Sequence, residues 1–398
     1  MNTQEHIRLV EEFSAHNYLP LPVVLAKGEG VWVWDVEGKR YLDMLSSYSA
    51  LNQGHRHPKV MKAVRDQLDR LCLTSRAFYH DAFGPFCETI TRASGFDQVL
   101  PMNTGAEAVE TAIKASRRWG YTKKHVEPNK AEIIVCENNF HGRTTTIVGF
   151  SSEELYRDGF GPFSPGFRMI PYNDLDALEA AITRNTVGFL VEPIQGEAGI
   201  NVPDSGYLAE ARRICDRHNL LLMTDEIQTG LGRTGKFFCY EYDNIKPDIL
   251  IVGKALGGGC FPVSGILASK EIMESFVPGN HGSTFGGNPI ACVAGKAAIE
   301  VILEEGMIEN SFKMGEYLRD ELAKMHSPHV AEIRGKGLLV GVEIRPESGT
   351  ARLFCERLAE LGILAKETHE TVVRFAPPLI ITKEEMDWAL ERIARVLK

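Results

Sequence analysis

The sequence predicts an α/β fold: a large domain built on a mostly parallel sheet, with a smaller α+β domain beside it. Two observations carry this expectation. In the middle of the chain, apolar strand-like runs alternate with amphipathic stretches of helical period, the pattern of helices wound about a parallel sheet. After about Pro289 the character changes, and a long helical stretch leads into fewer, more widely spaced strands. The expected organisation is an N-terminal segment, 1–50, packing with the small domain, a large domain over 51–290, and a C-terminal small domain over 291–398.

Each element has its own signal. "GVWVWD" and "RYLDM" read as a strand pair divided by the turn "VEGK". "EIIVC" (132–136), "GFLVEPI" (188–194), "LLLMTDEI" (220–227), "DILIVG" (248–253) and "VSGILAS" (263–269) read as buried strands. Residues 106–119 carry Val109, Ala112, Ile113 and Ser116 at helical spacing, and residues 207–218 form a second helical stretch. Beyond the change of character come the helical "ACVAGKAAIEVILEEG", the strand-like "GLLVGVEI", a helix near 351–361, and "TVVRFAPPL".

The chain has 398 residues, a formal charge of -9, 44% hydrophobic and 24% charged residues. That is enough chain for a self-sufficient core. The acidic balance argues against a nucleic-acid or anionic-membrane surface but leaves room for a local anion pocket. "MNTQEHIRLVEEF" lacks the basic and apolar regions of a secretory signal, no apolar run reaches bilayer length, and the 8 cysteines are scattered without a C-x-x-C pair. The expectation is a cytoplasmic protein with reduced thiols and no metal site.

Three stretches point to chemistry. In "NTGAEAVETA", Asn103 or Thr104 can cap a helix whose free N–H groups near Gly105 suit a phosphate. In "TDEIQTG", Asp225 stands at the carboxyl end of a strand, where open α/β sheets bind ligands. In "DILIVGKALGGG", Lys254 leaves a buried strand beside a glycine-rich loop. A structural Asp–Lys ion pair is the competing reading. Together, an anion site, a carboxylate and an amine suit pyridoxal 5′-phosphate. Its aldehyde needs a primary amine for a reversible imine, and its ring nitrogen needs an acid partner to stay protonated. "NNFHGRT" adds Phe140 or His141 to stack on a flat ring and Arg143 to fork onto a carboxylate, and "HGSTFGGNP" adds Ser283 and Thr284 hydroxyls.

Two stretches mislead. "GLGRTGKF" nearly fits a P-loop, but Phe237 stands where the magnesium-binding hydroxyl belongs. His55 and His57 in "GHRHP" lack further nearby ligands. A nicotinamide-dependent dehydrogenase would require G-x-G-x-x-G after the first strand, which is not present.

The blocks "TDEIQTGLGRTG", "GKALGGG", "VEPIQGE", "NNFHGRT" and "STFGGNP" resemble the signatures of the class III pyridoxal-phosphate aminotransferases, and the resemblance spans essentially the whole chain. "AHNYLPLPV", "MLSSYSALNQGH", "LTSRAFY", "LPMNTGAEA", "DGFGPFSPGF" and "VVRFAPPL" resemble the members that act on ornithine.

The resemblance implies a fold-type I homodimer, or a higher oligomer, with active sites at the subunit interface. It also implies transfer of the δ-amine of ornithine to a 2-oxo acid by a ping-pong cycle, with transfer from N-acetylornithine or 4-aminobutyrate as the alternative. By the same resemblance Lys254 carries the Schiff base, Asp225 holds the ring nitrogen, Gln228 touches the ring hydroxyl, and Phe140 stacks on the ring beside His141. Gly105 and Ala106 bind the phosphate together with a partner subunit's Thr284, and Glu192 lies near the ring. Arg143, helped by Tyr18 and with Tyr48 lining the pocket, takes the α-carboxylate of ornithine. Arg374 takes that of glutamate, and Glu197 neutralises Arg374 while ornithine is bound.

Overall fold

Three sheets organise the chain, described over residues 1–398 by a computed structural model. The first begins with β1 (Leu25–Glu29), β2 (Trp32–Asp35) and β3 (Arg40–Asp43). The large sheet contains β4 (Gln98–Met102), β5 (Glu132–Cys136), β6 (Phe167–Ile170), β7 (Thr186–Val191), β8 (Leu221–Asp225), β9 (Ile249–Val252) and β10 (Ser264–Ala268). The remaining strands are β11 (Val330–Lys336), β12 (Leu339–Ile344), β13 (Ile363–Leu364), β14 (Lys366–Thr368) and β15 (Val372–Phe375). β13 pairs in parallel with β3 and closes the first sheet, so the N-terminal strands are completed by a late segment. The third sheet, in the order β11-β12-β15-β14, is antiparallel.

The large sheet runs β4-β10-β9-β8-β7-β5-β6. All neighbours are parallel except β10, which is antiparallel to both β4 and β9. The reversal follows from the connection after β9. It runs from Gly253 to Val263 with one short helical turn, Lys254–Gly257, and no crossover helix, whereas a parallel crossover needs a dozen or more residues, usually with a helix.

β9 shows why the continuous apolar run was a strand. Ile249 and Ile251 pack into one core with Val109, Ala112 and Ile113 of the helix Gly105–Thr122. Leu250 and Val252 face the other core with Leu222 and Leu256. A strand covered on both faces has no polar side to alternate with, and each such side chain stabilises the fold by about 1.5–3 kcal/mol.

The P-loop look-alike has a structural role. Arg233 is fully buried, with two N–H groups on Asn52 Oδ1 at 3.2 and 2.6 Å, and Nη1 on the carbonyls of Leu338 (2.8 Å) and Pro377 (2.6 Å). It ties the loop after β8 to Asn52 and to the segments beside β12 and β15 of the third sheet. Burial pulls its guanidinium down to about 9. His55 bonds Asp43 and His57 bonds Glu305, which uses both histidines in pairs. No helix is long and apolar enough to cross a membrane.

Candidate active site

A cavity of about 200 Å³ opens outside the carboxyl ends of the large sheet. Five of the seven strands contribute at their ends. Gly105 and Ala106 follow β4, Phe140 and His141 follow β5, Glu192 follows β7, Asp225 ends β8 and Lys254 follows β9, and all of them line the cavity. The helix at Gly105 is capped by Thr104, whose Oγ1 accepts from Glu107 N–H, while Glu107 accepts the N–H of Thr104 and of Asn103. With its own cap in place, the positive end of this helix faces the cavity.

The floor is a carboxylate–imidazole pair. Asp225 Oδ2 lies 2.7 Å from His141 Nδ1, and Asp225 Oδ1 accepts the N–H of Ile227 at 3.1 Å. Burial lowers the imidazole's proton affinity, but Asp225 outweighs it and raises His141 above its ordinary value. Beside them, Glu192 accepts the N–H of Phe140 at 3.1 Å. Burial pushes Glu192 up to about 8, against the pull of His141. Folded protein then holds a proton on Glu192 that the unfolded chain releases near 4.5, so stability falls as pH rises from 4.5 toward 8. In cofactor-free protein, Glu192→Gln is expected to reduce this loss by about 1–3 kcal/mol, measured as denaturant midpoints at pH 5 and pH 8. An unchanged pH slope would show Glu192 ionised.

Lys254 sits on the wall with φ +46, in the left-handed region that non-glycine side chains avoid. Such a conformation costs on the order of 1–2 kcal/mol and persists where the surroundings over-determine it. Burial lowers its amine pKa, with Glu197 and Asp225 opposing and Arg374 reinforcing the shift.

A second pole lies toward the third sheet. Arg374, central in β15 and 1% exposed, bonds Glu197 Oε1 at 2.6 Å, while its Nε and Nη2 have no partner. Tyr48 covers its guanidinium, 4.9 Å from charge to ring. Gln228 Nε2 donates to the same Glu197 oxygen at 2.9 Å, and Thr368 Oγ1 donates to the Glu197 carbonyl. Burial works against the Glu197 carboxylate, but Arg374 and then Lys254 hold it down at about 2. Gly196 makes the Gln228 position possible, since a Cβ there would fall 1.6 Å from Gln228 Oε1.

Other expected site residues stand apart from the cavity. Arg143 is exposed, its guanidinium 3.7 Å from the Tyr156 ring and 5.4 Å from Phe140. Tyr18 is 74% exposed and close enough to act electrostatically on Tyr48. Thr284 is exposed beside Phe285. Sequence reasoning missed Tyr156, Thr229 and Thr368. Thr229 was one residue from the quoted Gln228, but Tyr156 and Thr368 lie in polar stretches with no pattern to mark them.

Residues 13–397 match the family described as Aminotransferase class-III. The chain belongs to the class III aminotransferase family. As a member it is a pyridoxal-phosphate-dependent aminotransferase. It is 58% identical over 391 residues to an ornithine aminotransferase of Brevibacillus brevis, covering 98% of this chain and 97% of that one. Its fold is similar to an ornithine aminotransferase from Toxoplasma gondii, reported with partial occupancy of PLP at its active site (TM-score 0.98, 43% identity, 100% of this chain and 94% of that chain). It is also similar to an acetylornithine aminotransferase from Elizabethkingia anophelis (TM-score 0.91, 47% identity, 100% and 99% coverage).

The cavity fits the family's cofactor. His141 Nε2 and Gln228 Oε1 are buried without a partner, ready for a polar ligand, and an unpaired buried polar atom is costly otherwise. A helix N-terminus and a lysine complete the donor set.

Proposed function

We propose that this chain is an L-ornithine:2-oxo-acid δ-aminotransferase. It converts ornithine and 2-oxoglutarate to glutamate and glutamate 5-semialdehyde, and the semialdehyde cyclises to pyrroline-5-carboxylate. The observation that carries transfer of a distal amine is the Arg374–Glu197 pair at 2.6 Å. One site must take ornithine by its distal amine and glutamate by its α-amine. A buried guanidinium that can be either masked or offered to a carboxylate meets that need. The high identity to enzymes acting on ornithine supports the same choice over N-acetylornithine or 4-aminobutyrate.

Pyridoxal 5′-phosphate, when bound, supplies an aldehyde for amine exchange and an electron sink at the reacting carbon. Gly105 and Ala106 would hold its phosphate, joined by Thr284 of the partner subunit. Phe140 would face its ring, Gln228 its hydroxyl, and Asp225, oriented by His141, its ring nitrogen. Glu192 braces the backbone at Phe140. Lys254 is the proton carrier. Its lowered proton affinity leaves a larger neutral fraction to take a proton from the substrate carbon and return it.

Arg143, stacked on Tyr156, would take the α-carboxylate of ornithine, with Tyr18 and Tyr48 around it. Glu197 keeps Arg374 masked while ornithine is bound. When glutamate binds, Arg374 takes its α-carboxylate and Arg143 its side-chain carboxylate.

The exposed Tyr79 and Phe285, beside the His80–Gly287 hydrogen bond, support a homodimer that covers them. Residues 1–50 and 291–398 form one small domain around the large domain, 51–290, a division supported by the pairing of β13 with β3. Cytoplasmic placement accords with the free cysteines.

The test is product trapping. Holoenzyme with 2-oxoglutarate and L-ornithine, N-acetylornithine or 4-aminobutyrate is followed with o-aminobenzaldehyde, which reports pyrroline-5-carboxylate. The expected result is a trapped product from ornithine. Turnover chiefly of the other amines, read as glutamate formed from 2-oxoglutarate, would overturn the substrate.

A further inference from the structure

Four successive residues, Ser46, Ser47, Tyr48 and Ser49, all have positive φ (51, 48, 59 and 69°), and none is glycine. Non-glycine residues visit this left-handed region singly, at roughly 1–2 kcal/mol each. A run of four therefore needs an anchor, and strain of this kind gathers where geometry serves function. The anchor is Asp43. Its Oδ1 accepts the N–H groups of Leu45 (2.9 Å) and Ser46 (2.8 Å), the entry to the turn. Its Oδ2 is held by His55 Nε2 at 2.8 Å. His55 is itself fixed, because its backbone bridges Gly30 and its ring lies so close to Gly28 that a Cβ there would fall 2.7 Å from Nδ1. At the far end of the turn, Tyr48 lies over the Arg374 guanidinium.

We infer that Asp43, backed by His55, is a specificity-positioning residue that holds the left-handed turn Ser46–Ser49 so that Tyr48 stays over Arg374. This rests on the proposed ornithine reading of the site. Asp43 touches no substrate and acts through Tyr48. Slackening the turn withdraws Tyr48 from the pocket proposed for the ornithine carboxylate, while Arg374 stays placed by β15 and by Glu197.

The test compares half-reaction rate constants of holoenzyme with L-ornithine and with L-glutamate. Asp43→Asn loses the charge that both N–H groups and His55 share. It is expected to lower the ornithine-to-glutamate ratio about tenfold or more, as misplacement near a reacting group does. Ser47 is exposed, so Ser47→Val changes backbone preference with little change of packing, and it should shift the ratio the same way even if Asp43→Asn folds poorly. Ser47→Gly placed in the Asp43→Asn chain should recover part of the ratio, since glycine adopts positive φ freely. If both single variants alter thermal stability but leave the ratio unmoved, the turn is only structural and the inference fails. If wild-type enzyme forms no pyrroline product from ornithine, the functional reading fails instead.

Discussion

Lys254→Ala is expected to abolish amine transfer, with turnover of ornithine and 2-oxoglutarate falling by at least ~10⁴-fold. The reason lies in the wall of the cavity. Lys254 is its single lysine, placed between Glu197, Asp225 and Glu192 and held at φ +46 by the turn after β9. No other amine lines the cavity to carry the proton. The fold should survive, because the substitution removes a group whose ionised form is penalised by burial. The check is the o-aminobenzaldehyde assay alongside a thermal melt. Turnover within tenfold of wild type, from protein that melts normally, would remove Lys254 from the chemistry.

Glu197→Ala is expected to turn the enzyme toward α-amines. The ratio of the glutamate to the ornithine half-reaction should rise by about 10–100-fold, the range that gain or loss of a well-placed charged partner gives. Arg374 would keep its burial and its Tyr48 cover but lose its only anion. An uncompensated buried charge also costs stability, here on the order of 1–3 kcal/mol because Glu197 remains partly open to the cavity. Glutarate should then raise the melting temperature of the variant more than that of wild type, by supplying the missing carboxylate. The pH behaviour has a definite sign. The folded value near 2 lies below the ordinary 4.5, so the contribution of Glu197 is complete above 4.5 and is lost only as pH falls toward 2. Substrate preference should therefore not titrate through Glu197 near neutrality. An unchanged ratio in the variant would sink the switch.

The chemistry was legible because it sits where apolar runs end. β8 and β9 announce themselves by composition, and Asp225 and Lys254 are the polar residues at their exits. The helix start at Gly105 was readable from its cap. β4 and β6 escaped notice for a physical reason: both are sheet edges. β4 contains Pro101, which only an edge tolerates, and β6 exposes Arg168 and Met169. The direction of β10 was invisible too, since a buried run reads alike either way. Arg233 and the pair Asp43–His55 were hidden more deeply. Their partners lie in remote segments, as with Arg233 and Pro377, and no local spacing encodes such contacts. The left-handed turn at "SSYS" carries none of the glycine that marks such backbone.

The union of β3 with β13 has a consequence for how the chain is made. Leu42 leaves the ribosome some 320 residues ahead of its partner Ile363, an interval of roughly 16–60 s at ordinary synthesis rates. Most of the large sheet can assemble in that time from strands near in sequence, with β4 waiting for β10. The N-terminal hairpin meanwhile carries an open edge that only the end of the chain can cover. Release of the finished chain and closure of that edge should thus be the slow, aggregation-sensitive stage of biogenesis, and it comes before Arg374 can meet Tyr48.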